Sequence, residues 1–461
     1  MTIRAASSHQ LASRLRSRLD GRVVGPQDPG WDEARRAWNL AVDQHPAVVA
    51  RPGSADDVVA VVEVAHSYGL RVAAQGSGHG AAPRGSLEGS VLVDMSGMNA
   101  VEIDPHNRLA RIQAGAQWQD VVGPAAKHGL AGLSGSAGDV CVTGYALGGG
   151  AGWMVRRYGL AAGSIRAVDV VTADGRLLRA SADSEPDLLW ALRGGGGSFG
   201  VVTALELDLF AVPELYAGVL FWPQERAAEV LEAWREWTTD LPEEMTSLGR
   251  LVNVPLLEEI PEPLRGRSFA VVEAAWIGDE AGGSEQLAPL RELGPEIDTF
   301  APIAPPGLAE LHMDPPEPVP SAGDGMLLAD FPSEAIAAVV EAAGPGTNSP
   351  LVSLEIRHLG GAVDTAAPED GAFAAVDAPY LLFAVGTVMA PQAKQAVELR
   401  LDRVRSALAP WDGGRLLTFA ERPDATGGLF PDHVERRLRE LKTAYDPEDV
   451  IQANHEIRPA A

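Results

Sequence analysis

The chain has 461 residues, of which 46% are apolar and 6% aromatic, with 37 Lys and Arg against 63 Asp and Glu. A formal charge of -26 repels phosphate and argues against a nucleic-acid partner, and no apolar run reaches the roughly eighteen residues of a membrane span. Cys141 is the one cysteine, which excludes an internal disulfide framework and a cysteine-built zinc cluster, so the expected setting is reducing and cytoplasmic.

The N-terminal stretch is Arg-rich without an apolar signal core, and it only faintly resembles a transit peptide. Leu11, Leu15 and Leu19 fall on one face of an amphipathic helix. Charge and glycine then divide the chain. Residues 211–410 hold 11 Lys and Arg against 32 Asp and Glu, whereas 30 of the 50 glycines lie in the first 210 residues. The division predicts an N-terminal arm over 1–40, a glycine-rich domain over 41–213, an acidic domain over 214–410 and a C-terminal segment over 411–461. The acidic domain reads as a solvated surface, or as one that attracts cationic substrates.

In chain order, 55–68 predicts a helix with Asp56 and Asp57 at its positive end and Gly69 just past its last turn. Residues 71–75 and 91–95 predict buried strands. VEID, the turn 105–108 and LARIQAGA read as a hairpin, and VDVVTADGRLLRA as a second one with Asp174-Gly175 in its turn. Helices are expected at 118–128 and 187–192, and a strand at 201–210. In the acidic domain LYAGVLFW, SFAVVEAAWI, LVSLEIRHLG and YLLFAVGTVM read as strands, with helices such as 224–238 and 333–343 between them. The seven prolines of 301–325 predict a long surface loop, and 432–444 a last helix. The fold class is α+β, with an antiparallel sheet covered by helices in the acidic domain.

Three glycine clusters carry the functional signal. Gln75-Gly76-Ser77-Gly78-His79-Gly80 follows a strand, but AAPRGSLEGS after it cannot form the helix of a dinucleotide fingerprint. Close-set glycines still make an anion-binding nest, or a plain tight turn. The second cluster runs from Gly144 and Tyr145 through Gly148, Gly149 and Gly150 to Trp153. Three adjacent glycines are costly in entropy and imply close approach of a ligand or of another strand. The third contains Gly196, Ser198 and Gly200 in the spacing of a nucleophile elbow, with helix and strand in the wrong order for a hydrolase. The ten histidines make no zinc motif, so no metal is expected.

The order of these motifs resembles the flavin-linked oxidases of the vanillyl-alcohol oxidase superfamily, in the berberine-bridge-enzyme-like branch. The carrying residues include Arg51-Pro52, Ala55–Val58, Gly76–Gly80, Val93–Ser96, Gly144–Trp153, Arg157–Leu160, Asp187–Thr203 and Asn454–Ile457. The resemblance implies a two-subdomain PCMH-type FAD domain, a substrate domain and a C-terminal return to the FAD domain. It implies FAD held by Gln75, Gly76, Ser77, Gly78, His79, Gly80, Ala81, Gly138, Asp139, Gly144, Tyr145, Gly148, Gly149, Gly150, Gly200, Val201, Val202 and Asn454. His79 stands where the family joins imidazole to the flavin 8α-methyl. The cysteine that makes a second link in some relatives has its place at Ala137, four residues before Cys141, so a single link is expected. Tyr145 occupies the place of a histidine near the flavin pyrimidine, where its hydroxyl can donate.

Two departures concern the chemistry. Leu416-Leu417-Thr418-Phe419 stands where many relatives have Tyr-x-Asn-Phe, and no lysine matches near Ser321–Leu328. Candidates for a replacement base are His312, Asp314, Glu355, Arg357, His358 and Tyr380; of these, with Tyr145, His358 and Tyr380 are taken as catalytic. Strand alternation sets Glu355 and Arg357 on one face, where an ion pair is expected. His312, in a proline-rich loop, is expected at the surface. The function expected is oxidation of a small alcohol, sugar or natural-product amine with O2 as acceptor, by a monomer or homodimer. The alternatives are a redox-neutral cyclase or isomerase that keeps FAD structurally, and a binding protein without turnover.

Overall fold

The computed structural model describes residues 5–212, 214–365, 367, 369–422 and 428–460. The boundary expected at Pro213 lies outside the described residues. Three sheets organise the rest. The first is built from Arg22–Val24, Val48–Arg51, Ser90–Asp94 and Arg71–Gln75 in that spatial order, and its last three strands run parallel. The helix Ala55–Ser67 makes the crossover that parallel strands require. Its start is fixed by the Ser54 hydroxyl, which accepts from Asp57 N–H. Val58, Val61, Val62 and Ala65 are wholly buried, and Gly69, at φ 65°, ends the helix.

The second sheet is antiparallel, ordered Val101–Asp104, Leu109–Gln113, Val201–Asp208, Ile165–Val171, Leu177–Ser181. Both predicted hairpins are in it. These two sheets share one core with the N-terminal helix, through Leu11 and Leu15. The C-terminal segment packs there too. Val72 N–H donates to Val450 O at 2.8 Å, and Lys442, fully buried, donates to Ser198 O at 2.9 Å. A buried ammonium is tolerated because Ser198 O, Ile451 O and the Asp446 carboxylate satisfy it.

The third sheet is the largest. Its central order is Leu215–Pro223, Ser268–Ile277, Met245–Asn253, Ser353–His358, Tyr380–Thr387, Ser321–Leu328, with every pairing antiparallel. Helices Ala227–Thr238, Ser333–Ala343 and Pro391–Leu408 cover one face. Leu220, Leu251, Val272, Leu354, Leu382 and Met326 meet them in a single apolar cluster. The opposite face presses on the glycine-rich domain, where Leu327 and Leu381 join Ala151, Val155 and Leu160.

The stretch 301–325 departs from the expected loop. It begins as the strand Ala301–Ile303 and ends inside Ser321–Leu328, which leaves a connection over 304–320. Pro302 is tolerated because its strand is a short edge. No helix among the described residues is long and apolar enough to cross a membrane.

Candidate functional site

The strand Arg71–Gln75 ends in the first glycine loop. Gln75 is consumed structurally, its side-chain oxygen accepting from Gln44 at 2.9 Å and Arg84 at 2.8 Å. Gly76 has no side chain because Cys141 fills the space: a Cβ there would lie 2.3 Å from Cys141 Sγ. Gly78, at φ 86°, lets the loop run against the backbone of Ala37 and Trp38. Gly80 faces Asn454, whose amide would be 3.1 Å from a Cβ. Ala81 is buried, and its N–H closes a turn on Gly78 O.

His79 is held on several sides. Trp38 stacks on it with ring centroids 4.1 Å apart at 20°, and Ser77 Oγ lies 2.8 Å from its Nδ1. Its Nε2 is buried, has no hydrogen-bond partner, and faces Asp139 Oδ1 at 3.5 Å, an ion-pair distance. Asp139 accepts from Trp38 Nε1 at 2.6 Å. Burial pushes the Asp139 carboxyl up, but His79 and Trp38 outweigh it and hold it below the usual carboxylate range. Gly138 beside it accepts from Gln119 N–H.

The second cluster is used differently from a bare ligand platform. A Cβ at Gly148 would meet the Thr418 methyl at 2.9 Å, one at Gly149 would meet Leu416 at 2.9 Å, and one at Gly150 would meet the Tyr145 ring at 2.4 Å. The three glycines therefore admit protein side chains. Tyr145 sits edge-on to Trp118, and its hydroxyl is buried without a partner. Burial raises its pKa further, so it stays a donor. Open backbone lies instead at Gly144 and Gly197, where a Cβ would meet nothing within 4 Å. Gly200 packs on Val170 and Val171, and Val201 and Val202 continue as buried strand.

Buried polar atoms without partners gather along this path: His79 Nε2, Thr143 Oγ1, Tyr145 Oη, Thr418 Oγ1 and His455 Nδ1. Thr418 touches Gly148, and His455 Nε2 lies 3.2 Å from Leu417 O. Such atoms are costly when left unpaired. Together with the open backbone at Gly144 and Gly197 they fit a large polar prosthetic group such as FAD.

The large sheet contributes a charged set opposite these loops. Arg250 donates to Glu273 at 2.7 Å and to Ser353 at 2.8 Å, and His312 Nδ1 lies 2.7 Å from the other Glu273 oxygen. Arg357 Nε donates to Glu355 Oε1 at 2.7 Å, the ion pair expected from alternation. His312 Nε2 forms an ion pair with Glu355 Oε2 at 2.8 Å, and this oxygen has no other partner. Arg357 reaches toward Ala151 O at 3.5 Å and lies over Phe419, 5.1 Å from its centroid. Burial and Arg250 press the His312 pKa down, but Glu273, Glu355 and Asp314 outweigh them and lift it to about 9. Burial opposes ionisation of Glu355 too, yet Arg357 and His312 hold it far below the carboxylate range.

One expectation is corrected by this geometry, and two candidate catalytic residues are found on the other side of the sheet from Glu355 and Arg357. His312 is 5% exposed, not at the surface, because two carboxylates draw it in. His358 and Tyr380 are directly paired across their strands and belong to the helix-covered side. His358 Nδ1 meets Arg156 at 3.2 Å, and burial with that charge depresses its pKa to about 3. Tyr380 bonds Thr238 and packs on Trp234 and Phe331. Tyr380 is turned from the glycine loops, whereas Tyr145 faces them and His358 lines a small cavity with Ala151, Gly152 and Trp153.

Fold and site together fit an FAD-binding protein. Residues 46–181 match the FAD binding domain family. The (R)-6-hydroxynicotine oxidase of Paenarthrobacter nicotinovorans is 37% identical over 216 residues, which spans 47% of this chain and 47% of that protein. Over nearly the full length, the structure of 6-hydroxy-D-nicotine oxidase from Arthrobacter nicotinovorans superposes with a TM-score of 0.80 at 26% identity, covering 96% and 98% of the two chains. The glucooligosaccharide oxidase of Acremonium strictum, described with a 6-S-cysteinyl, 8α-N1-histidyl FAD, shares the fold at TM-score 0.84 and 22% identity over 98% of this chain and 99% of its own. Over nearly its whole length the chain shares the fold of these FAD-linked oxidases and of a berberine-bridge-enzyme-like protein from Physcomitrella patens, and residues 46–181 carry the FAD binding domain.

Proposed function

We propose that the protein is an oxidase of a small alcohol, sugar or amine, with FAD joined through His79 alone and dioxygen as the electron acceptor. FAD supplies the two-electron acceptor for a C–H bond of the substrate. The protein's own contribution is placement. The observation that carries the reading is the Glu355 carboxylate, ionised on the sheet face that presses on the glycine-rich domain, its Oε2 met only by the His312 ring. It accepts an O–H or N–H of the substrate, while Arg357 and His312 keep its carboxylate from turning. Phe383 and Phe419, 5.5 Å apart, form an apolar wall on the same side.

Cys141 supports the single link. Its Sγ points to Ala114 O at 3.1 Å, and burial pushes the thiol pKa up, away from the reactive thiolate.

The test is anaerobic mixing of the purified yellow protein with a hydroxylated cyclic amine, a primary alcohol and an oligosaccharide, followed by admission of air. One of these classes bleaches the flavin, and air then returns the colour with one peroxide per substrate. If dithionite bleaches the flavin while all three classes leave it oxidised, the oxidase reading is lost.

A further inference from the structure

We propose that Glu421 selects substrates that carry a cationic nitrogen at a distance from the reacting carbon; this rests on reading the Glu355 side of the large sheet as the substrate side. The place of Glu421 follows from strand parity. Glu355 and Gly325 are both direct partners of Phe383, so the three positions share one face, and Gly323 shares it too. Glu421 fills the room that Gly323 leaves: its Oε2 would lie 2.9 Å from a Cβ there, and so would Phe383 Cζ. Gly325 admits Phe419 in the same way, and Phe419 stands 5.5 Å from Phe383. A carboxyl and two aromatic rings therefore line one stretch of this face. The stretch is open, since Phe383, Val385, Phe419 and Glu421 are half-buried and Thr387 is exposed.

Glu421 differs from the other acids of this face in its company. Glu355 has Arg357 and His312, and Glu273 has Arg250 and His312. Among the described residues no cation pairs with Glu421. The arginines nearby are engaged elsewhere: Arg422 with Asp402, Arg415 with Asp412, and Arg357, over the Phe419 ring, with Glu355. Arg405 lies 3.9 Å from Asp324, the residue next to Gly323. Burial and the like charge of Asp324 push the Glu421 carboxyl up to about 7, against the Gly323 backbone, which favours its charged form.

A carboxylate that has no cation of its own is stabilised by one that arrives with a ligand. The Phe383 ring adds cation–π attraction for the same group. A neutral sugar or alcohol offers neither. The strands of Glu355 and Gly323 are two apart in the sheet, which separates the two positions by about 10 Å. An elongated substrate thus meets Glu355 with its reacting O–H or N–H and Glu421 with its charged end. Glu421 touches no reacting carbon; it acts on specificity through binding.

The experiment measures binding to the purified yellow protein by calorimetry, with benzyltrimethylammonium, whose charge does not titrate, and benzyl alcohol as probes. Salt at about 0.15 M screens the general negative charge of the chain. The cation should bind about tenfold more tightly at pH 8, where Glu421 is mostly ionised, than at pH 5.5, where it is mostly protonated. Benzyl alcohol should change by less than twofold. Glu421→Gln should hold the cation at its pH 5.5 affinity throughout, and Glu421→Asp should regain part of the pH dependence. Asp324→Asn removes the like charge and should move the rise in cation binding to lower pH, a shift that a merely structural Glu421 would not give. Cation binding that is flat with pH in wild type, or unchanged in Glu421→Gln while Glu355→Gln weakens benzyl alcohol, overturns the proposal alone. Both probes binding as in wild type to Glu421→Gln and to Glu355→Gln alike fails differently: it puts ligands off this face and removes the substrate-side reading as well.

Discussion

The two faces of the large sheet come from the same strands and do opposite work. On the helix-covered face Leu251, Val272, Leu354 and Leu382 meet apolar helix residues, and the polar groups among them are spent on neighbours, as Tyr380 is on Thr238. On the other face the same strands contribute Arg250, Glu273, Glu355 and Arg357, all buried. Burying four charges costs several kcal/mol per ion unless each is paired, and here each has an opposite charge within 2.8 Å. This set, on the face that meets the glycine-rich domain, is the ground for the proposal that substrate is held there.

The comparison breaks most sharply at Glu355. Glu355→Gln keeps the shape but removes the charge that orients substrate. It should lower kcat/KM by about a hundredfold, the order expected when a reacting group is misplaced. Rapid-mixing measurement of flavin bleaching checks this; a change under threefold would put substrate elsewhere. Glu273→Gln comes next and reads out as stability. It leaves Arg250 and His312 facing one neutral amide, at a cost of about 3 kcal/mol in denaturant titration.

The charged face also has a pH signature. His312 is lifted from 6.5 to about 9 in the folded protein, so its protonated form is favoured by folding. That stabilisation is complete below 6.5 and is lost as pH rises through about 9. The melting temperature should fall across this alkaline range, and His312→Gln should flatten the fall. An identical alkaline slope in the variant would assign the loss to another group.

What the sequence discloses follows the range over which each feature is determined. The helix Ala55–Ser67 and the two hairpins are set by local caps and turns, and are read directly. The strand Ser321–Leu328 is hidden because Gly323 and Gly325 look like loop residues. They are there to admit Glu421 and Phe419, either of which would lie within 3 Å of a Cβ. His312 is hidden in the same way, its partners Glu273 and Glu355 lying 39 and 43 residues away in a proline-rich context that suggests surface. The face of His358 was legible, however: a residue next to Arg357 in a strand must point the other way, and the histidine's chemistry overshadowed its parity. In the glycine loops, sequence locates the cluster but not its use, since Gly148, Gly149 and Gly150 make room for Thr418, Leu416 and Tyr145.

The smallest expected effect tests the apolar face. Thr238 donates its hydroxyl proton to Arg235 O at 2.7 Å, so it accepts from the Tyr380 hydroxyl at 3.0 Å. Tyr380→Phe therefore removes one donor and strands no other; only an acceptor lone pair is left idle. The cost should be about 1 kcal/mol or less, because the ring keeps its packing on Trp234 and Phe331. Flavin absorbance, substrate bleaching and peroxide yield should match wild type. A Tyr380→Phe protein that folds normally but reduces its flavin tenfold more slowly would mean that the helix-covered face reaches the chemistry, and the division of labour between the two faces would fail.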